Sequence, residues 1–286
     1  MKVIVIGAGP AGCAAAMQLW RFGFDVELIE RNCIGGLLQN ANVIENYLGF
    51  PDGISGEMFC KLIKEQIYKL GISVIYDEVK QIEIIDNEFI LSLTKNTKKC
   101  DICIVATGTK PIQLSEVIIE EEARKYVFYE ISNIKHQINN CKVAVIGSGD
   151  AAFDYAISLS KRNTVSIIMR GGNPKAIRTL VDTCNKINNI SLEKNIQLIK
   201  IIRINDKLLL NCIKDSELVN FDVDYLIVAI GREKNLPKIS EEALKSDRLF
   251  LIGDVATEKN IRQASIAVGQ GMEAAMNVYL KNWNKL

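Results

Sequence analysis

A glycine motif occurs twice in this chain, each time directly after a run of apolar residues. The first copy, Gly7-Ala8-Gly9-Pro10-Ala11-Gly12, follows residues 3–6. The second, Gly147-Ser148-Gly149-Asp150-Ala151-Ala152, follows residues 143–146. Each copy reads as a buried parallel strand, a tight turn and the opening of an apolar helix, over 11–22 in the first case and 151–160 in the second. The first glycine permits the turn, the second lets a pyrophosphate approach the backbone, and the third position (Gly12 or Ala152) keeps the helix close to the strand. The helix N-terminus then offers unpaired N–H groups and a positive dipole end to phosphate. A chain built this way twice is constrained to an α/β fold with two nucleotide sites.

The strand after each motif refines the ligand. Strand 25–29 ends at Glu30, at the distance expected of a carboxylate that binds ribose hydroxyls. That acid would repel a 2′-phosphate, so the first nucleotide is FAD or NAD. Strand 164–169 ends instead in Arg170, with Lys175 and Arg178 downstream. Guanidinium groups bind phosphate bidentately, which favours NADPH over NADH in the second site. The alternative, that Arg170 is a solvated strand end, stays open at this point. Two further turns, Ala106-Thr107-Gly108 after strand 101–105 and Gly231-Arg232 after strand 225–230, let the chain pass close to a dinucleotide.

Composition removes several classes of function. The net charge is +1, with both signs interspersed, and there is no basic stripe or nucleic-acid-reading motif. No apolar run approaches the roughly 18 residues of a membrane span, and the N-terminus lacks a signal-peptide pattern. The eight cysteines are scattered as small buried residues of a reducing, cytoplasmic protein. Metal-ligand spacings and serine-hydrolase constellations are absent, and His136, the only histidine, lies in a polar connector. One CxxC exists, Cys100-Asp101-Ile102-Cys103. Within a single strand its thiols would face opposite sides about 10 Å apart, whereas a disulfide needs Cα atoms within about 7 Å. No redox role is expected of it.

Further short motifs follow in order: Gly35-Gly36-Leu37-Leu38, Glu45-Asn46-Tyr47-Leu48-Gly49-Phe50-Pro51, Leu251-Ile252-Gly253-Asp254-Val255 and Arg262-Gln263-Ala264. As a set, from Lys2 to about Leu280, they resemble the two-dinucleotide flavoproteins of the pyridine nucleotide-disulfide oxidoreductase superfamily, most closely the low-molecular-weight thioredoxin reductases. The resemblance implies two Rossmann-like domains, the NAD(P) domain inserted in the FAD domain. FAD would take residues 1–111 and 239–286, and NAD(P) residues 112–238. FAD is then expected along Gly7, Gly9, Pro10, Ala11 and Gly12, with Arg31, Gly36, Leu37, Val79, Ala106, Thr107, Gly108 and Gly253 around it. By the same resemblance Glu30 holds the adenosine ribose, Asn46 lies near the isoalloxazine and Asp254 on the ribityl chain. Arg262, Gln263 and Ala264 form the flavin-contacting turn. For the second nucleotide the implied residues are Gly147, Ser148, Gly149, Asp150, Ala151, Arg170, Arg178 and Gly231. Leu37 stands where the family usually has glutamine, and Gly171 and Gly172 stand where a second arginine is usual.

The family carries a redox CxxC just ahead of the second fingerprint. Counting back from Gly147, the equivalent stretch is Glu130-Ile131-Ser132-Asn133, without cysteine. Residues 38–43, where glutathione reductases place a cysteine pair, contain none either. The pair Asp154-Tyr155 looks like the Asp-Trp pair of thioredoxin-reductase-like ferredoxin–NADP reductases. The expected function is an FAD-dependent NAD(P)H oxidoreductase without an internal redox disulfide. Its electrons would pass to an external acceptor: ferredoxin, flavodoxin, a thioredoxin-like protein or a small molecule. The site residues bind and position, and none is expected as a proton-transfer catalyst. Two alternatives remain at this stage. One is a disulfide reductase in which Cys33 or a partner's thiol replaces the lost pair, and the other a flavin-binding redox sensor or electron-transfer subunit without productive NAD(P)H binding. A homodimer is the implied assembly.

Overall fold

The computed structural model describes residues 1–258 and 261–282. The chain divides into two compact units. The first comprises Met1–Gln39, Val43–Lys110 and Lys234–Leu286, and the second Asn40–Asn42 and Pro111–Glu233. Residues 234–238 therefore group with the first unit rather than with the insertion. Their continuation, strand Lys238–Ile239, pairs in parallel with strand Val79–Ile85.

The first unit is built on a five-stranded parallel sheet. Strand β1 (Lys2–Ile6) lies between β7 (Ile102–Val105) and β2 (Asp25–Glu30). Beyond these lie Leu249–Leu251 on one side and β3 (Ser73–Tyr76) on the other. The continuous apolar character of β1 and β7 follows from burial on both faces. The order reverses at β1 and β7, so their C-terminal ends open the crevice in which such sheets bind ligands. Helix α1 (Pro10–Arg21) covers one face together with α6 (Ala264–Asn282). These two pack closely because Gly271 carries no side chain: a Cβ there would overlap the Ala11 carbonyl oxygen and stand 3.0 Å from the Ala14 Cβ. Helix α2 (Gly56–Lys69) is started by Ser55, whose hydroxyl accepts the Met58 N–H.

The second unit repeats the plan. Its parallel sheet runs Val127–Phe128, Tyr225–Val228, Lys142–Ile146, Thr164–Ile168, Ile190–Glu193. Helix α3 (Asp150–Ser160) leaves Lys142–Ile146 as α1 leaves β1, and α4 (Arg178–Asn185) follows Thr164–Ile168.

Each parallel sheet is backed by an antiparallel meander that the sequence reading did not anticipate. In the first unit it is β4 (Val79–Ile85), β5 (Glu88–Leu93) and β6 (Thr97–Cys100). In the second it is Ile196–Ile204, Lys207–Lys214 and Glu217–Val223. Their two-residue turns are Asp86-Asn87, Asn205-Asp206 and Asp215-Ser216, all at positive φ. That is the geometry of tight hairpins. Among the described residues no helix is long and apolar enough to cross a membrane.

Candidate functional site

The first fingerprint is held in shape by the absence of side chains. Gly7 has φ +100°, and a Cβ on it would overlap the Ala106 carbonyl oxygen; one on Gly12 would overlap the Gly7 carbonyl oxygen. Gly9, in contrast, has nothing within 4 Å of such a Cβ, which leaves open the direction from which a pyrophosphate would approach. Pro10 opens α1, where its missing N–H costs nothing, and Ala11 is buried beneath it. Gly36 lies over Gly9, with a Cβ position 3.3 Å from the Gly9 Cα, and Gly253 (φ +70°) lies against Ala11. Residues 7–12, 36, 106 and 253 thus converge within the first unit.

Glu30 is 8% exposed, and both its oxygens are engaged. Oε2 accepts the Ala8 N–H at 2.7 Å and Oε1 the Asn32 N–H at 2.7 Å. The carboxylate is therefore fixed at the edge of the fingerprint. Arg31 is exposed, 3.7 Å from Glu78, and Val79 is buried at the start of β4. Thr107 supplies the sharpest test of fit to a flavin nucleotide: its Oγ1 is buried and has no hydrogen-bond partner. Such a hydroxyl calls for a ligand atom. Gly108 turns the chain beside it at φ +63°.

Elsewhere in the first unit, Asn46 Nδ2 donates to Gln263 Oε1 at 2.8 Å, joining residues far apart in sequence that were both expected near the flavin. Arg262 and Gln263 directly precede α6, Ala264 is its first residue, and Leu37 and Asp254 are half-buried in short turns. Sequence reading missed Gln270. Its Oε1 accepts the Gly253 N–H at 2.6 Å and meets the Thr257 hydroxyl, so it fixes the Gly253-Asp254 turn. A polar residue flanked by Gly269 and Gly271 inside an apolar helix was the available signal.

The second fingerprint repeats these constraints. A Cβ on Gly147 would overlap the Ala229 carbonyl oxygen, while Gly149 is open. Gly231 (φ +130°) is exposed at the turn after Tyr225–Val228, and Ala151 is exposed in the first turn of α3. Three backbone donors reach the fingerprint from the following loop. Lys175 N–H (2.7 Å) and Ala176 N–H (2.9 Å) donate to the Ser148 carbonyl, and Ile177 N–H donates to Asp150 Oδ1 at 2.8 Å. Arg178 follows at once, its side chain 93% exposed and 3.5 Å from Asp182; Arg170 is exposed at the end of its strand.

Residues 130–133 form a short turn in the same unit. Glu130 Oε1 accepts from Arg232 Nη1 at 2.8 Å, and Oε2 accepts from Asn40 Nδ2 at 2.7 Å; Asn40 Oδ1 in turn accepts the Ser132 N–H. Nearby, Asp154 accepts the Asn42 N–H at 2.9 Å, and burial pushes its carboxyl up to about 6. Burial, then the Glu130 charge, raises the Tyr155 phenol. His136 is exposed.

None of the eight cysteines forms a disulfide. One expectation is corrected: Cys100 and Cys103 do not face opposite sides. The chain bends at Asp101, whose carboxylate accepts the Lys2 N–H, and β6 and β7 belong to different sheets. Both residues enter one core, 3% and 0% exposed, and Cys103 is pushed well above the usual thiol range by burial and by hydrogen bonding with Cys100. Cys33 is half-buried, its thiol raised by burial and by the Glu30 charge, and Cys13 is pushed up to about 12 by the same two causes. No group of three metal-ligating side chains occurs among the described residues.

Two fingerprints on two parallel sheets, with a fixed carboxylate and an orphaned hydroxyl at the first, mark a protein of the two-dinucleotide-binding class. Comparison with known proteins makes this specific. The chain belongs to the pyridine nucleotide-disulphide oxidoreductase family, whose model matches residues 1–271. It is 28% identical over 293 residues to the thioredoxin reductase of Ureaplasma parvum, spanning 96% of this chain and 94% of that protein. The thioredoxin reductase of Lactococcus lactis superposes with a TM-score of 0.88 at 26% identity, covering 100% of this chain and 99% of that one. The bacillithiol disulfide reductase of Staphylococcus aureus shares the fold, with a TM-score of 0.77 at 18% identity over 98% of both chains. The protein is thus a thioredoxin reductase-like, NAD(P)H-dependent flavin oxidoreductase, and its family implies FAD and NAD(P)H as the two nucleotides.

Proposed function

We propose that this enzyme carries electrons from NAD(P)H through FAD to an external acceptor without an internal redox disulfide. Residues 130–133 carry the reading. They stand where the resemblance puts the dithiol, and both oxygens of Glu130 are taken, by Arg232 and Asn40. A carboxylate neither stores electrons nor exchanges with a disulfide. Burial and the Glu30 charge raise the Cys33 thiol, the opposite of the activation that a substitute redox thiol requires.

Bound FAD would supply a centre that accepts hydride from a stacked nicotinamide and passes electrons on. The chain's residues bind and orient. The glycines of the first fingerprint and the α1 N-terminus would take the pyrophosphate, Glu30 the ribose and Thr107 Oγ1 a polar flavin-nucleotide atom. Asn46 and Gln263 would border the flavin, with Asp254 on the ribityl chain. Arg31, Gly36, Leu37, Val79, Gly108, Arg262 and Ala264 would line the remainder. In the second site Gly147 shapes the turn, Gly149 leaves room for the other dinucleotide beside the exposed Ala151 and Gly231, and Arg170 and Arg178 would favour NADPH. The relatives' names favour a disulfide-bearing, thioredoxin-like protein as acceptor, alongside ferredoxin, flavodoxin or a small molecule. The eight cysteines, none in a disulfide, fit a reducing compartment such as the cytoplasm, and a homodimer is proposed from the resemblance alone.

The test is anaerobic addition of NADPH or NADH while flavin absorbance is followed, then turnover with a small-molecule acceptor after the reduced protein has been alkylated. The reading predicts bleaching, faster with NADPH, and turnover that survives alkylation. Turnover abolished by alkylation would overturn it in favour of a catalytic thiol. A flavin that neither nucleotide bleaches would favour a redox sensor.

A further inference from the structure

The loop that crosses the second fingerprint is anchored at both ends. At its start the Asn195 N–H donates to the Gly171 carbonyl at 3.4 Å. At its end, residues 175–177 are strapped to the fingerprint by two N–H groups on the Ser148 carbonyl and by the Ile177 N–H on Asp150 Oδ1. The cations Lys175 and Arg178 sit within and just beyond that strap. Arg178 has little to hold it otherwise: its side chain is almost wholly exposed, with one ion pair at 3.5 Å to a residue on its own helix. Its place beside the fingerprint is therefore set by the backbone, and the backbone by the strap.

The two fingerprints differ at the position concerned. Helix α1 begins with Pro10 and has no acid in its first turn, whereas α3 begins with Asp150. A carboxylate there competes with a pyrophosphate for the positive end of the helix. In this structure that carboxylate instead holds the Ile177 N–H.

We propose that Asp150 is a positioning residue for nucleotide selection: it fastens the 175–177 strap, which presents Lys175 and Arg178 to the 2′-phosphate that distinguishes NADPH from NADH. The inference rests on the second fingerprint being the NAD(P)H site. Losing a charge-assisted hydrogen bond to the strap is expected to lower the preference for the phosphorylated nucleotide about tenfold.

The experiment measures NADP+ and NAD+ dissociation constants by calorimetry on the FAD-loaded wild type, Asp150→Ala and Asp150→Asn, with FAD content as the folding control. Tryptic cleavage after Lys175 and Arg178 is followed in parallel. Asn keeps an acceptor for the Ile177 N–H, and Ala does not. The expected result is a wild type that prefers NADP+, a D150N variant that keeps the preference, and a D150A variant that loses about tenfold of it and is cut faster at the strap. A D150A variant with unchanged preference, or with unchanged cleavage, overturns the inference while leaving the site assignment intact. A wild type that binds both nucleotides without preference overturns it too. A wild type that binds neither removes the site assignment itself, and the inference with it.

Discussion

Asp154 lies on α3 with its carboxylate on the Asn42 N–H, and burial raises it to about 6 although that bond, Lys135 and Lys161 all pull downward. Its folded value stands above its unfolded one, so the stabilisation it gives is complete below about pH 4 and lost as pH rises through about 6. The loss is worth about 3 kcal/mol. Asp154→Asn, which keeps an acceptor without the charge, is expected to melt several degrees above wild type at pH 7.5 and level with it at pH 4. Equal melting temperatures at pH 7.5 would show the carboxylate is not desolvated. At Gly12 a methyl group would meet the Gly7 carbonyl, so Gly12→Ala should cost about 3 kcal/mol in urea unfolding and release flavin. A variant as stable as wild type would contradict this packing. Gly12 and Glu30 were legible in sequence because fingerprint and acid are set by local spacing. Gln270 was not, since it acts on a turn contributed by a separate segment. The Cys100 and Cys103 geometry was misread because a one-residue bend at Asp101 is invisible to a strand pattern.

At the scale of elements, the strand–turn–helix units were readable because each combines an apolar run, fixed glycines and an apolar helix. The antiparallel meanders were not read, although Asp86-Asn87 and Asn205-Asp206 between alternating runs are hairpin signals. Their weakness lies in the residue types: Asp215 and Ser216 adopt positive φ without being glycine. Ser216→Gly should therefore stabilise the protein by about 0.5 kcal/mol in chemical denaturation, and a loss of stability would contradict the turn geometry. The contact of α1 with α6 makes the opposite prediction. Gly271→Ala must push the helices apart and is expected to cost about 2 kcal/mol; a neutral effect would mean that the helices are not packed backbone to side chain.

For the whole molecule, duplication of the fingerprint made a fold with two dinucleotide-binding domains legible. The assignment of Asn40–Asn42 to the second unit was not legible, because it depends on Glu130, Asp154 and Lys161, each remote in sequence. Of these, Glu130 stands where the resemblance would put the family's dithiol, so the proposal that the enzyme works without one turns on how many electrons the molecule can hold. Anaerobic reductive titration of the FAD-loaded protein measures this directly. Flavin alone stores one hydride equivalent, and flavin with a redox disulfide stores a second. Complete bleaching is expected at one equivalent per flavin, with no further uptake and no new free thiols. Uptake of a second equivalent, with two thiols appearing, would contradict it.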